Sequence, residues 1–210
     1  MSIHELREGY VSAQDFEARA QNPDDPTDGC YLYADEDTAV VFLRTELARR
    51  SSKPRLLDVG CGFGRWAHHL RDLYDSYVGI DPSATRIQRG QVWLAEDNIH
   101  QAQLLHRPEP GWRIGEMTHS FDVCTCVTVI QHLSVPQAVA LLQDIAVHLR
   151  SGGVLLAYEG CIIEGDEAEA ERQYETRPRH MIPKPVSLLQ AAIPGCQWEH
   201  DGIYNVVTMP

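Results

Sequence analysis

The chain has 210 residues, 43% hydrophobic and 23% charged, the profile of one globular domain able to bury a sheet with helices on both faces. Acids outnumber bases 30 to 18, for a net charge of −12, which argues against a nucleic-acid substrate, whose phosphates are held by Lys and Arg. No apolar run approaches the roughly 18 residues that span a bilayer, and the opening MSIHELREGY is too polar and acidic for a signal or transit peptide, so a cytoplasmic location with no membrane partner is expected.

In chain order, QNPDDPTDGCYLY is rich in turn formers, with Pro23, Pro26 and Gly29 ahead of Tyr31 and Tyr33. From about Asp35 to Arg49, Val40, Phe42, Leu43 and Leu47 recur at helical spacing, acids early and arginines late, so this helix should pack on a sheet. Arg55, Leu56, Leu57, Asp58 and Val59 read as a buried parallel strand whose carboxyl end opens into a site. Gly60, Gly62 and Gly64 follow, and their bare backbone can turn and come against a ligand. A helix starts near Arg65 and Trp66. Tyr77 to Ile80 make the next strand, with Asp81 at its tip, where a carboxylate can accept both hydroxyls of a ribose.

This order of strand, glycine turn, helix and acid-tipped strand is suited to an adenosine-bearing cofactor. The nicotinamide fingerprint needs a third glycine or alanine at position 65, which is Arg65, so that match fails. Further on, Phe121 to Val127 read as a strand leading through Thr128, Val129 and Ile130 into Gln131, His132 and Leu133. A helix spans about Val135 to Leu149, with Val139, Leu142, Ile145, Ala146 and Leu149 on one face. Gly152 and Gly153 should stop it, and Val154 to Glu159 form another strand. An acidic helix from about Asp166 to Tyr174 and a loop with Arg177, Arg179 and His180 make an insertion over 160–185. A helix around Val186 to Ala192 then leads to two segments parted by Gly202, which read as a hairpin.

The acid, the GxGxG turn and the second-strand acid resemble motif I and the ribose acid of the class I S-adenosylmethionine (SAM)-dependent methyltransferases, and Phe121 to Leu133 resembles the family's motif IV. SAM carries an ammonium and a sulfonium in place of a pyrophosphate, so an acid below the loop is favourable. The resemblance covers about Leu56 to Glu159. It implies a doubly wound α/β fold with seven strands, six parallel and the last antiparallel, in a single domain over 1–210. It also implies a cofactor set of Asp58, Gly60, Cys61, Gly62, Gly64, Asp81, Pro82, Cys126 and Val127. The segment before the fourth strand lacks the family's adenine-facing acid after Leu105, and the adenine contact stays unassigned among His106, Arg107, Glu109 and backbone groups.

By the same resemblance, the first 50 residues act as a helical lid segment, with Tyr31 and Tyr33 as substrate contacts, and substrate-specific structure enters at 160–185. His132 is the expected general base, having a free pKa near 6.5, with Gln131 and Glu159 as substrate contacts. His68, His69 and His148 fall on helices as surface or packing residues, and Arg71, Arg86 and Arg89 as a solvated face. Six cysteines, at 30, 61, 124, 126, 161 and 196, show no metal spacing and should be reduced thiols. The expected activity is methyl transfer from SAM to an O or N atom of a small molecule, in a chain that could form a homodimer. The alternatives are a protein or peptide N-methyltransferase and a non-catalytic SAM-binding partner subunit.

Overall fold

The structure is a computed structural model that describes residues 17–18, 21, 37–108, 114, 120–176 and 182–210. Tyr31, Tyr33, Glu109, Arg177, Arg179 and His180 lie outside the described residues. Helix α1 is Thr38–Ala48, and Asp37 caps it by accepting the Ala39 N–H at 2.9 Å, so the helix starts slightly later than its apolar spacing predicts. Its buried residues Ala39, Val40, Leu43 and Leu47 form one face turned to the core.

Strands β1 (Arg55–Val59), β2 (Ser76–Asp81) and β3 (Ala102–His106) alternate with α2 (Arg65–His69) and α3 (Ala84–Glu96). Then come β4 (Phe121–Val127), α4 (Val135–His148) and β5 (Leu149–Tyr158). After β5 the chain forms β6 (Ile162–Ile163), α5 (Glu167–Thr176), β7 (Lys184–Pro185) and α6 (Val186–Ala192), and it closes with β8 (Gln197–Asp201) and β9 (Tyr204–Thr208).

The main sheet has the order β3-β2-β1-β4-β5-β9-β8. Its first five strands pair in parallel, and β9 lies antiparallel between β5 and β8. Six strands therefore share a direction and the last opposes them, the fold expected. The strand order reverses between β1 and β4, which opens a crevice at their carboxyl ends.

Side chains alternate across the strands. Leu57, Val59, Ile80 and Leu155 pack with Leu141, Ile145 and Leu189 on the face carrying α4 and α6. Leu56, Tyr77, Val123 and Leu156 meet Leu43, Trp66 and Ile87 on the face carrying α1, α2 and α3.

Three local features differ from the sequence pattern. Helix α4 ends at His148, because Ser120 N–H takes the His148 carbonyl at 3.0 Å and Leu149 pairs with Phe121, so β5 begins before Gly152 and Gly153. The buried face of α4 is Val135, Ala138, Leu141, Leu142, Ile145 and His148. The insertion contains a small parallel sheet, with Ile162 beside Lys184 and Ile163 beside Pro185; a proline that cannot donate hides such a strand from its sequence. Arg86 and Arg89 stand over the Phe63 ring, at 5.9 and 4.7 Å. His68, His69 and His148 are buried, and the five described cysteines are all free thiols.

Candidate cofactor and methyl-transfer site

The glycine loop is bound to the end of β2. The Gly60 and Cys61 N–H groups both donate to the Ile80 carbonyl, at 2.9 and 3.0 Å. Gly60 has φ +74, and a Cβ built there would stand 2.3 Å from Val129 Cγ2, so the loop and the turn after β4 touch only because this residue is glycine. Gly62 has φ +55, and a Cβ on it would meet only open space; this stretch of backbone faces outward. Cys61 is buried, and burial pushes its thiol well above the ordinary range.

Asp81 clasps the loop. One carboxylate oxygen accepts the Gly62 N–H and the other the Ser83 N–H, each at 2.9 Å, and each keeps lone-pair capacity for a further donor. Burial raises its pKa against the pull of these bonds. The Ser83 hydroxyl caps α3 by accepting the Arg86 N–H at 3.2 Å and itself donates to Glu17 at 2.6 Å. The Pro82 carbonyl lies 3.0 Å from His106 Nε2, which brings the end of β3 to the turn that follows Asp81. Ribose hydroxyls fit this clasp as donors, and the outward-facing Gly62 leaves room for a ligand along the loop.

Asp58 lies beneath the loop, 1% exposed. It accepts hydrogen bonds from the Tyr77 hydroxyl and, at 2.8 Å, from Thr125 Oγ1. Burial lifts its pKa to about 7, opposed by those two bonds and by Arg65. A cation bound above it would favour its ionised form.

The carboxyl end of β4, with Cys126 and Val127 both buried, leads into a strained corner. Thr128 has φ +58, a left-handed conformation that is rare for a β-branched residue. Its N–H is fixed by the Tyr158 carbonyl at 3.0 Å. Beyond it, Glu159 Oε1 accepts the Val129 and Ile130 N–H groups at 2.6 and 2.8 Å, and Oε2 accepts that of Gln131 at 3.2 Å. Glu159 is fully buried, so the expected substrate contact is placed as a brace under the turn. Burial raises its pKa to about 7 against these three bonds and the attraction of Lys184.

That brace holds the 3-10 turn Ile130–His132. Gln131 and His132 are half-buried there, with the Gln131 amide nitrogen 3.2 Å from His132 Nε2. The insertion reaches the same corner through Ile182, whose N–H donates to the Gln131 carbonyl at 3.1 Å, and it is closed on itself by Lys184 N–H donating to the Cys161 carbonyl at 2.8 Å. Lys184 is fully buried, and its ammonium donates to the Ile182 carbonyl at 2.7 Å.

The structure thus brings Asp58, the glycine loop, Asp81, Pro82, Cys126, Val127, Gln131 and His132 to one end of the sheet. Tyr77, Thr125, Thr128 and Lys184 belong to the same region and were not singled out from sequence. For Tyr77 and Thr125, a polar atom within an apolar strand was the available signal. For Thr128 there was none.

Residues 56–153 match a family model described as a methyltransferase domain. A ubiquinone biosynthesis O-methyltransferase of Parvibaculum lavamentivorans is 30% identical over 124 residues, 59% of this chain and 47% of that protein. The chain spans less than half the length of the first curated relatives it matches. Among solved structures, a putative methyltransferase of Haloferax volcanii, in complex with the Trm112 methyltransferase activator, superposes with a TM-score of 0.66 at 15% identity, covering 93% of this chain and 98% of that one. A putative methyltransferase of Bacillus halodurans gives 0.59 at 17% identity, covering 75% and 69%. Sheet order, loop and domain match agree: residues 56–153 form a methyltransferase domain on the class I methyltransferase fold, with S-adenosylmethionine as its cofactor.

Proposed function

We propose that the protein transfers a methyl group from SAM to an oxygen or nitrogen atom of a small molecule, with a hydroxyl oxygen the favoured acceptor. The observation that carries this reading is the meeting of the Asp81 clasp and the Glu159-braced turn across the Gly60–Val129 contact. One element is suited to the cofactor and the other presents a titratable side chain beside it. The O-methyltransferases among the relatives favour oxygen.

SAM supplies an already activated methyl, so the protein's task is orientation, which can be worth roughly 7 to 11 kcal/mol. Asp81 and the Gly62 backbone hold the nucleoside end. Asp58 gives negative charge below the loop for the cationic end, and Cys126 and Val127 form the adjoining wall. His132 accepts the acceptor's proton as general base, a contribution of roughly 10²- to 10⁴-fold. Gln131 holds its imidazole at 3.2 Å, and Glu159 fixes the Gln131 backbone.

The test is S-adenosylhomocysteine release with a catechol such as 3,4-dihydroxybenzoate, with a small amine, and with a basic peptide in parallel. Catechol turnover that falls at least 100-fold in His132→Ala, with SAM affinity retained, is the expected result. Turnover of the peptide alone would overturn the small-molecule assignment, and unchanged turnover in His132→Ala would overturn the role of His132.

A further inference from the structure

At the pole of the sheet opposite the glycine loop, the amino ends of β1 and β4 and the carboxyl end of β9 surround a hollow of about 380 Å³. Arg49 and Arg50, just beyond α1, and Arg150, at the start of β5, converge on it. Three arginines line it in a chain of net charge −12.

Two are matched by carboxylates that line the same hollow. Arg49 Nη1 lies 2.5 Å from Glu46 Oε1, and Arg150 Nε lies 2.6 Å from Asp122 Oδ1. The other Asp122 oxygen accepts the Arg55 N–H at 2.6 Å. Both acids are therefore engaged, while the half-buried Arg50 side chain has neither hydrogen bond nor ion pair among the described residues. Burial disfavours its charge, and repulsion from Arg150 adds to that, against the attraction of Asp122 and Glu46. Ser51 and Ser52, on the same wall, carry hydroxyls with no hydrogen bond to another described residue. Pro54, Val154 and Val206 give the hollow an apolar side.

We propose that this hollow binds a small phosphomonoester, with the phosphoryl group on Arg50, Arg150 and the serine hydroxyls and the carbon skeleton against Pro54, Val154 and Val206. A guanidinium fork matches two phosphoryl oxygens, and a dianion relieves the repulsion between Arg50 and Arg150. The volume lies within the roughly 300 to 1,000 Å³ of small-molecule sites. The site is separate from the methyl-transfer end and does not depend on that activity.

Calorimetry on the full chain at fixed ionic strength, with glycerol 3-phosphate, inorganic phosphate and glycerol as probes, tests the proposal. The ester is expected to bind one to one, inorganic phosphate several-fold more weakly, and glycerol not at all. Arg50→Ala is expected to weaken ester binding at least tenfold and Arg50→Lys by less, while the S-adenosylhomocysteine affinity of both variants, which reports their folding, stays at the wild-type value. Ester binding unchanged in Arg50→Ala would show non-specific attraction only and overturn the site. Equal binding of phosphate and ester would overturn the role of the apolar side.

Discussion

Asp81 joins three things at one carboxylate: the Gly62 backbone, the Ser83 backbone and the mouth of the proposed cofactor site. On the proposed function, Asp81→Ala removes both a ligand partner and the clasp, so SAM affinity should fall at least tenfold, about 1.4 kcal/mol; calorimetry with wild-type affinity would remove Asp81 from the site. Asp58 has a consequence in pH. Carboxyl groups sit near 4 in an unfolded chain, whereas Asp58 and Glu159 are raised to about 7 by burial. Between those values the folded state keeps protons that the unfolded state has released, so this contribution to stability is complete below about pH 4 and is lost as pH rises through 7. The thermal midpoint should therefore fall between roughly pH 5 and pH 8, and Asp58→Asn should flatten the fall; equal slopes in the two proteins would refute it. Asp58 and Asp81 could be read from sequence because each stands at a fixed distance from the glycines. Their partners could not, since Tyr77 and Thr125 reach Asp58 only once β2 and β4 flank β1.

The corner after β4 is where an element departs from what its residues prefer locally. Thr128 holds its left-handed backbone between the Tyr158 carbonyl and the Glu159 carboxylate, and such conformations cost of the order of 1 to 3 kcal/mol. Thr128→Gly should accordingly stabilise the protein by about 1 kcal/mol in urea denaturation; a less stable variant would show that the threonine side chain contributes more than its backbone costs. Glu159→Gln keeps the shape but loses the charge shared by three N–H groups. It should cost about 1 to 3 kcal/mol in stability and lower turnover more than SAM affinity, because the turn carries Gln131 and His132. Equal losses in both would place Glu159 in cofactor binding. Strand and helix periodicity marked β4 and α4 well. It could not mark the corner between them, whose conformation is imposed by the end of β5 and by an insertion whose Ile182 returns to the Gln131 carbonyl.

On the scale of the whole molecule, the sheet has a core on each face, and both should melt together. Leu43 under α1 and Ile145 under α4 belong to opposite cores. Each change to alanine should cost about 2 to 5 kcal/mol, and the double variant should show the sum within about 0.5 kcal/mol in one cooperative transition; two separate transitions would show that the faces unfold independently. The architecture was legible because alternating strands and helices with a glycine turn leave few topologies. The pairing of β6 with β7 was not, since two-residue strands carry no periodicity.

The cysteines turn this architecture into an instrument. Cys61 lies within the glycine loop, and Cys126 is the penultimate residue of β4; both are buried, and burial holds their thiols well above the ordinary range. An alkylating reagent can reach either only when that end of the sheet opens. Mass-resolved labelling of the unmodified chain would therefore time the breathing of the cofactor end, against the partly exposed Cys196 at the far pole as an internal clock. Ligand bound at the loop should slow the first two positions and leave the third unchanged.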